Sequence, residues 1–94
     1  MATKQKVKKS FTVLNDKGLH TRPATELVKC ATSFRSQISL RYQDLHVNAK
    51  SLLGILMLAA AKGAKITVEA EGADADRAVD AICDLARGKF NISY

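Results

Sequence analysis

The chain has 94 residues, 47% of them apolar and 26% charged, with a formal net charge of +6. This suits one globular domain with a modest core and excludes disordered and fibrous classes. Its longest apolar stretch, Leu52 to Ala61, falls far short of the roughly 20 residues that cross a bilayer, so no membrane partner is expected.

The first residues, Met1 to Ser10, carry lysines but no apolar h-region and no cleavage site, so they are not a signal peptide, and a cytoplasmic location is expected. Residues 1–9, with Lys4, Lys6, Lys8 and Lys9, read as a mobile basic leader: solvated decoration, not a nucleic-acid arm. Phe11-Thr12-Val13-Leu14 alternates as a short strand, closed by the turn residues Asn15-Asp16-Lys17-Gly18. From Arg22 or Pro23 the period becomes helical, with Ala24, Leu27, Val28, Ala31 and Phe34 on one stripe. Pro23 is tolerated because a first-turn N–H would lack a partner anyway.

Alternation returns with Ile38, Leu40 and Tyr42, then with Leu45, Val47 and Ala49, two strands of a hairpin. Lys50-Ser51 introduces a greasy helix running to about Ala61 and ended by Lys62-Gly63. A fourth strand follows over Ile66, Val68 and Ala70. Asp74 is the expected N-cap of a last helix with Ala75, Ala78, Val79, Ile82, Leu85 and Ala86 on its stripe and Gly88 at its end. A tail, residues 89–94, follows and is expected to touch none of the motifs.

The order is β-α-β-β-α-β-α. Every strand alternates, so the sheet is expected to be antiparallel with one wet face and helices on the other, an α+β two-layer arrangement in a single domain spanning 1–94. Cys30 and Cys83 have neither C-x-x-C nor metal-ligand spacing and read as reduced, partly buried thiols. No metal and no cofactor is expected.

Chemistry concentrates in Gly18-Leu19-His20-Thr21-Arg22-Pro23-Ala24. A helix start offers unpaired N–H groups and partial positive charge, and Arg22 adds a permanently charged fork that matches a phosphate edge. Gly18 permits a tight approach to the helix, and Leu19 can anchor the loop in the core. Positive surroundings disfavour imidazolium, so His20 is expected to be neutral and nucleophilic, and they would stabilise a phosphoryl group once it is attached. Phosphoryl transfer is mostly positioning and charge stabilisation, so a small carrier can leave the rest to partner enzymes. His46 lies out of phase with Val47 and is expected to face solvent without a role.

These seven residues are similar to the active-site signature of HPr, the histidine-containing phosphocarrier family of the bacterial phosphoenolpyruvate-dependent sugar phosphotransferase system. Lys50-Ser51-Leu52-Leu53-Gly54-Ile55-Leu56-Met57-Leu58 resembles that family's second signature, around a regulatory serine. The resemblance implies an open-faced β-sandwich, a four-stranded antiparallel sheet covered on one face by three helices. It implies that His20 accepts a phosphoryl group on Nδ1 from phosphorylated enzyme I and passes it to a IIA domain, with Arg22 attending the group. It further implies that Ser51 is modified by an ATP-dependent HPr kinase/phosphorylase in organisms that have one, Gly54 being the residue type that accompanies such control. A monomer is expected.

Ser51 also reads as a helix N-cap, where the fold would tolerate a phosphate, while charge of about −2 would repel acidic partners. Leu52, Leu53 and Leu56 cannot all face inward with Ile55 and Leu58, so they read as an apolar docking patch, with Thr21 beside the histidine and Lys29 and Lys50 on the rim. Two other functions compete with this one. A purely regulatory protein, docking on a transcriptional regulator through phosphorylated Ser51, would not need the motif histidine. An RNA-binding domain would need a GXXG clamp or aromatics on the open sheet face, and Phe11, Phe34 and Tyr42 are expected to look inward.

Overall fold

Strands in this chain alternate and helices keep one apolar stripe, and the two periodicities sort the side chains into a single core. The structure is a computed structural model that describes residues 5–94. Its elements are β1 (Lys6–Thr12), α1 (Thr21–Thr32), β2 (Gln37–Tyr42), β3 (Leu45–Asn48), α2 (Leu52–Met57), β4 (Lys65–Glu71) and α3 (Ala75–Arg87). The four strands form one antiparallel sheet in the order β1-β4-β2-β3. Phe11, Ile38, Leu40, Ile66, Val68 and Ala70 point to its covered face and are buried. Leu27 from α1, Ile55 from α2, and Val79 and Ile82 from α3 meet them there, each fully buried. The opposite face carries Lys8, Ser10, Arg41, Thr67 and Glu69. This is the expected open-faced sandwich.

Two boundaries and one helix cap depart from expectation. β1 begins at Lys6 and pairs with β4 from Lys6↔Glu71 to Thr12↔Lys65, so Lys6, Lys8 and Lys9 belong to a strand, not to a mobile leader. Lys4 lies outside the described residues. Lys9 takes an inward register position on this edge strand, and its ammonium donates to Asp80 of α3 at 2.6 Å. A lysine stem can cover apolar surface while its head stays wet, which explains a lysine where alternation asks for an apolar residue.

Helix α2 stops at Met57 rather than near Ala61. Leu58 and Ala60 are buried, and Ala59 between them takes φ +49 to turn the chain. The residues from 58 to 61 would all suit a helix, but docking Ala60 against the histidine loop outweighs their propensity. Asp74 precedes α3, yet its side chain makes no capping bond. Its carboxylate instead accepts from the N–H groups of Arg35 and Ser36, at 3.0 Å each, and from the Ser36 hydroxyl. These bonds tie the start of β2 to the start of α3, and the Ser36 hydroxyl foremost, then the Arg35 N–H, holds the Asp74 carboxyl down at about 2.

Gly88 ends α3 with φ −92. The reversal falls on Lys89, Phe90 and Asn91, with φ of +55, +56 and +62, three consecutive left-handed residues that are not glycine. They fold the chain back so that Phe90 is fully buried, edge-on to Phe11 with ring centroids 5.9 Å apart.

Candidate functional site

The approach to His20 is built by backbone. Gly18 N–H donates to Asn15 O and Leu19 N–H to Ala60 O, each at 2.9 Å. Gly18 has φ +71, and a Cβ there would stand 2.3 Å from Ala60 O and 2.9 Å from Ala61 Cα. Only glycine fits this crossing, in both dihedral and space. Leu19 is buried in the core as expected, and His20 follows as the N-cap residue of α1 in extended conformation, its carbonyl accepting from Ala24 N–H at 3.0 Å. Thr21 and Arg22 occupy the first two helical positions, whose N–H groups have no intrahelical partner, and Pro23 has none to satisfy. The first turn contains no acidic residue.

The imidazole is half-buried. Its Nε2 is sealed from solvent and has no hydrogen-bond partner. Against the ring lies a residue that sequence reasoning missed. Tyr94 stacks on His20 with centroids 5.5 Å apart and planes inclined by 18°. Arg22 Nη1 donates to the Tyr94 phenol oxygen. Lys17 Nζ sits 5.0 Å from the centre of the same ring and Arg22 Cζ 5.7 Å from it, so two cations face one aromatic π-system. The expectation that the tail avoids the motif is therefore overturned: residue 94 touches both His20 and Arg22. Asn15, read as an ordinary turn residue, is fully buried, and its amide donates to the carbonyls of Lys89 and Tyr94, each at 3.0 Å. No local pattern flags Tyr94, which is one of two aromatic residues beyond the last helix.

Ser51 is the N-cap of α2, its hydroxyl accepting from Gly54 N–H at 3.1 Å. Leu53 is 70% exposed and Leu52 37%, while Leu56 is half-buried against the core, and Ile55 and Leu58 face inward. Met57, outside the expected patch, is 66% exposed. Thr21 is exposed, and Lys29 is exposed with its ammonium 3.3 Å from Glu26. Lys50 is half-buried and its ammonium donates to Phe34 O at 2.8 Å, tethering the start of α2 to the end of α1.

His46 faces solvent. A groove of about 430 Å³, lined by Arg35, His46, Lys50, Glu69 and Glu71 among others, shares no residue with the histidine loop. Cys30 and Cys83 are free thiols, and burial pushes both up from the usual range, away from reactive thiolate. Among the described residues no cluster of side chains could hold a metal ion, and no helix is long and apolar enough to cross a membrane.

The molecule is an open-faced α+β sandwich that sets a histidine at a helix start with an arginine two positions on, and a capping serine at the start of a second helix with exposed leucines. Comparison with known proteins gives this arrangement its family. A family model described as the PTS HPr component phosphorylation site matches residues 7–87. The phosphocarrier protein HPr of Neisseria meningitidis serogroup A is 40% identical over 84 residues, covering 89% of this chain and 94% of that protein. Among solved structures, HPr-C-His from Thermoanaerobacter tengcongensis superposes with a TM-score of 0.88 at 36% identity, covering 94% of this chain and 99% of that one. An HPr dimer from the same organism gives 0.73 at 41% identity, over 83% and 90% of the two chains. The chain belongs to the HPr family, the phosphocarriers of the phosphotransferase system.

Proposed function

We propose that His20 is the residue of this HPr-family chain that carries the phosphoryl group, received from phosphorylated enzyme I and passed to a IIA domain. One observation carries the assignment. The imidazole sits at the entry of α1 with Nε2 buried, which leaves Nδ1 as the nitrogen able to react, near the open N–H groups of the first turn, while Arg22 and Lys17 both reach the Tyr94 ring stacked on it. With its proton on Nε2, the ring offers an Nδ1 lone pair to phosphorus. The new group brings up to two negative charges to a site with no acidic neighbour in the first turn, and the helix end and guanidinium offset them. Leu52, Leu53 and Met57 supply exposed apolar area for partners to cover, with Thr21, Lys29 and Lys50 at the edge. The carrier acts in the cytoplasm as a monomer.

Incubation with phosphoenolpyruvate and enzyme I, followed by intact-mass measurement, tests the reading. One acid-labile phosphoryl group is expected on the wild-type chain and none on His20→Ala. Undiminished uptake by the variant would show that another residue carries it.

A regulatory role for Ser51 rests on its place as the α2 cap beside the exposed leucines. A phosphate there would leave the fold intact and set charge on the docking face. Ser51→Asp is expected to slow phosphorylation by enzyme I; a wild-type rate would end the idea.

A further inference from the structure

We infer that Tyr94 is a displaceable placeholder at the phosphoacceptor: its phenol holds the Arg22 guanidinium while His20 is free, and gives it up when His20 is phosphorylated. The inference rests on His20 as the acceptor and concerns what happens to its neighbours. Three separate features place the ring deliberately. Asn15, with no exposure, spends both amide hydrogens on the carbonyls of Lys89 and Tyr94. Phe90 plugs the core at the foot of the segment. Between those anchors the chain accepts three consecutive left-handed residues, a conformation costly for any residue with a Cβ. Strain held by anchors of this kind marks a segment with a second arrangement within reach.

The chemistry at the ring explains the purpose. Arg22 donates to the phenol through Nη1, one prong of its fork. A phosphoryl group on His20 is best held by both prongs together. Its charge makes it a far stronger acceptor than a neutral phenol, so bidentate pairing requires the phenol to leave. Lys17, now over the face of the Tyr94 ring, is freed by the same movement. The stacked ring covers only a face of the imidazole. Phosphorus approaches in the imidazole plane, so Tyr94 competes for Arg22 rather than for the nucleophile. A contact made only in the unphosphorylated state opposes phosphorylation and, by linkage, helps the group to leave for the next acceptor.

The test poises the wild-type chain, Tyr94→Phe and Tyr94→Ala against phosphoenolpyruvate and pyruvate with a catalytic amount of enzyme I. In each turn the P–O bond of phosphoenolpyruvate breaks, an N–P bond forms on His20, and the enolate leaves to become pyruvate with a proton from water. Tyr94→Phe keeps the stack and loses the acceptor, so its equilibrium constant for phosphorylation is expected to rise roughly two- to tenfold, the net range of one solvent-exposed hydrogen bond. Tyr94→Ala should rise at least as far. In the free proteins, NMR should show the His20 ring protons shifted by the neighbouring aromatic ring in the wild type and in Tyr94→Phe, and unshifted in Tyr94→Ala. Phosphorylation of the wild type should speed hydrogen exchange at the Asn91 and Ile92 amides. Normal labelling of His20 with an unchanged or lowered constant in Tyr94→Phe overturns the exchange alone. Uptake that survives His20→Ala overturns the acceptor reading and the exchange with it.

Discussion

The Asn15 side chain binds the backbone carbonyl of Tyr94 across 79 positions of sequence, from inside the turn that leads to His20. The same amide nitrogen binds Lys89 O, so one fully buried side chain staples both ends of the segment after α3 to the histidine loop. Asn15→Leu removes both bonds and leaves two carbonyls without their donor. A loss of about 1–3 kcal/mol in urea unfolding is expected. The His20–Tyr94 ring contact should vanish from NMR spectra in the same variant, although neither ring has been altered.

Gly18→Ala tests the other side of that loop. A methyl group at φ +71 would be strained in any surroundings, and here it also meets the Ala60 carbonyl. The chain must retreat from Ala60, breaking the Leu19 N–H to Ala60 O bond that seats the histidine. Destabilisation of about 2 kcal/mol or more is expected in denaturant titration. Phosphotransfer should fall further than the unfolded fraction accounts for. Full activity in the folded population would show that the seat of His20 does not depend on this crossing.

The pH dependence of stability should bear the mark of Asp74. Its folded value of about 2 lies below the ordinary 3.8, so its contribution is complete above pH 3.8 and disappears as pH falls through about 2. Asp74→Asn should flatten the stability curve between those limits while lowering stability at neutral pH. Lys9 provides the opposite sign. The hydrogen bond to Asp80, then the charge of Asp80, raises the ammonium above 10.5, so its contribution is whole below that pH and is lost as pH climbs through the raised value. Thermal melts across both limbs, with Asp74→Asn and Lys9→Met alongside the wild type, check both directions.

The sheet, the three helices and the histidine at a helix entry could be read from the sequence because each rests on local periodicity or on one short motif. What escaped reading depends on contacts between distant segments. Within β1, Lys9 stands where alternation asks for an apolar residue, and only the Asp80 partner on α3 makes it sensible there. Nothing between Met57 and Ala61 breaks a helix; the Leu19 N–H that Ala60 must meet lies about forty residues earlier. Asp74 has the right residue type and position for a cap, but the N–H groups of Arg35 and Ser36 bind it instead. Tyr94 reaches His20 only through three left-handed residues, a conformation that no residue in Lys89-Phe90-Asn91 announces. Local rules placed the histidine at the helix entry and missed the ring that rests on it.

Two neighbours on α2 separate docking from folding. Leu53 is 70% exposed and Ile55 fully buried. Leu53→Ala removes little that the fold uses, so stability should change by no more than about 0.5 kcal/mol. Ile55→Ala opens a hole among core side chains and should cost about 2–5 kcal/mol. The order should reverse when phosphorylation by enzyme I is followed at rising carrier concentration. Leu53→Ala should raise KM several-fold with little change in kcat, because partner contact is lost while the seat of His20 is untouched. Ile55→Ala, assayed well below its melting temperature, should keep a KM near that of the wild type. If the two variants raise KM alike, the exposed leucine is not a docking residue and the partner meets this chain on another face.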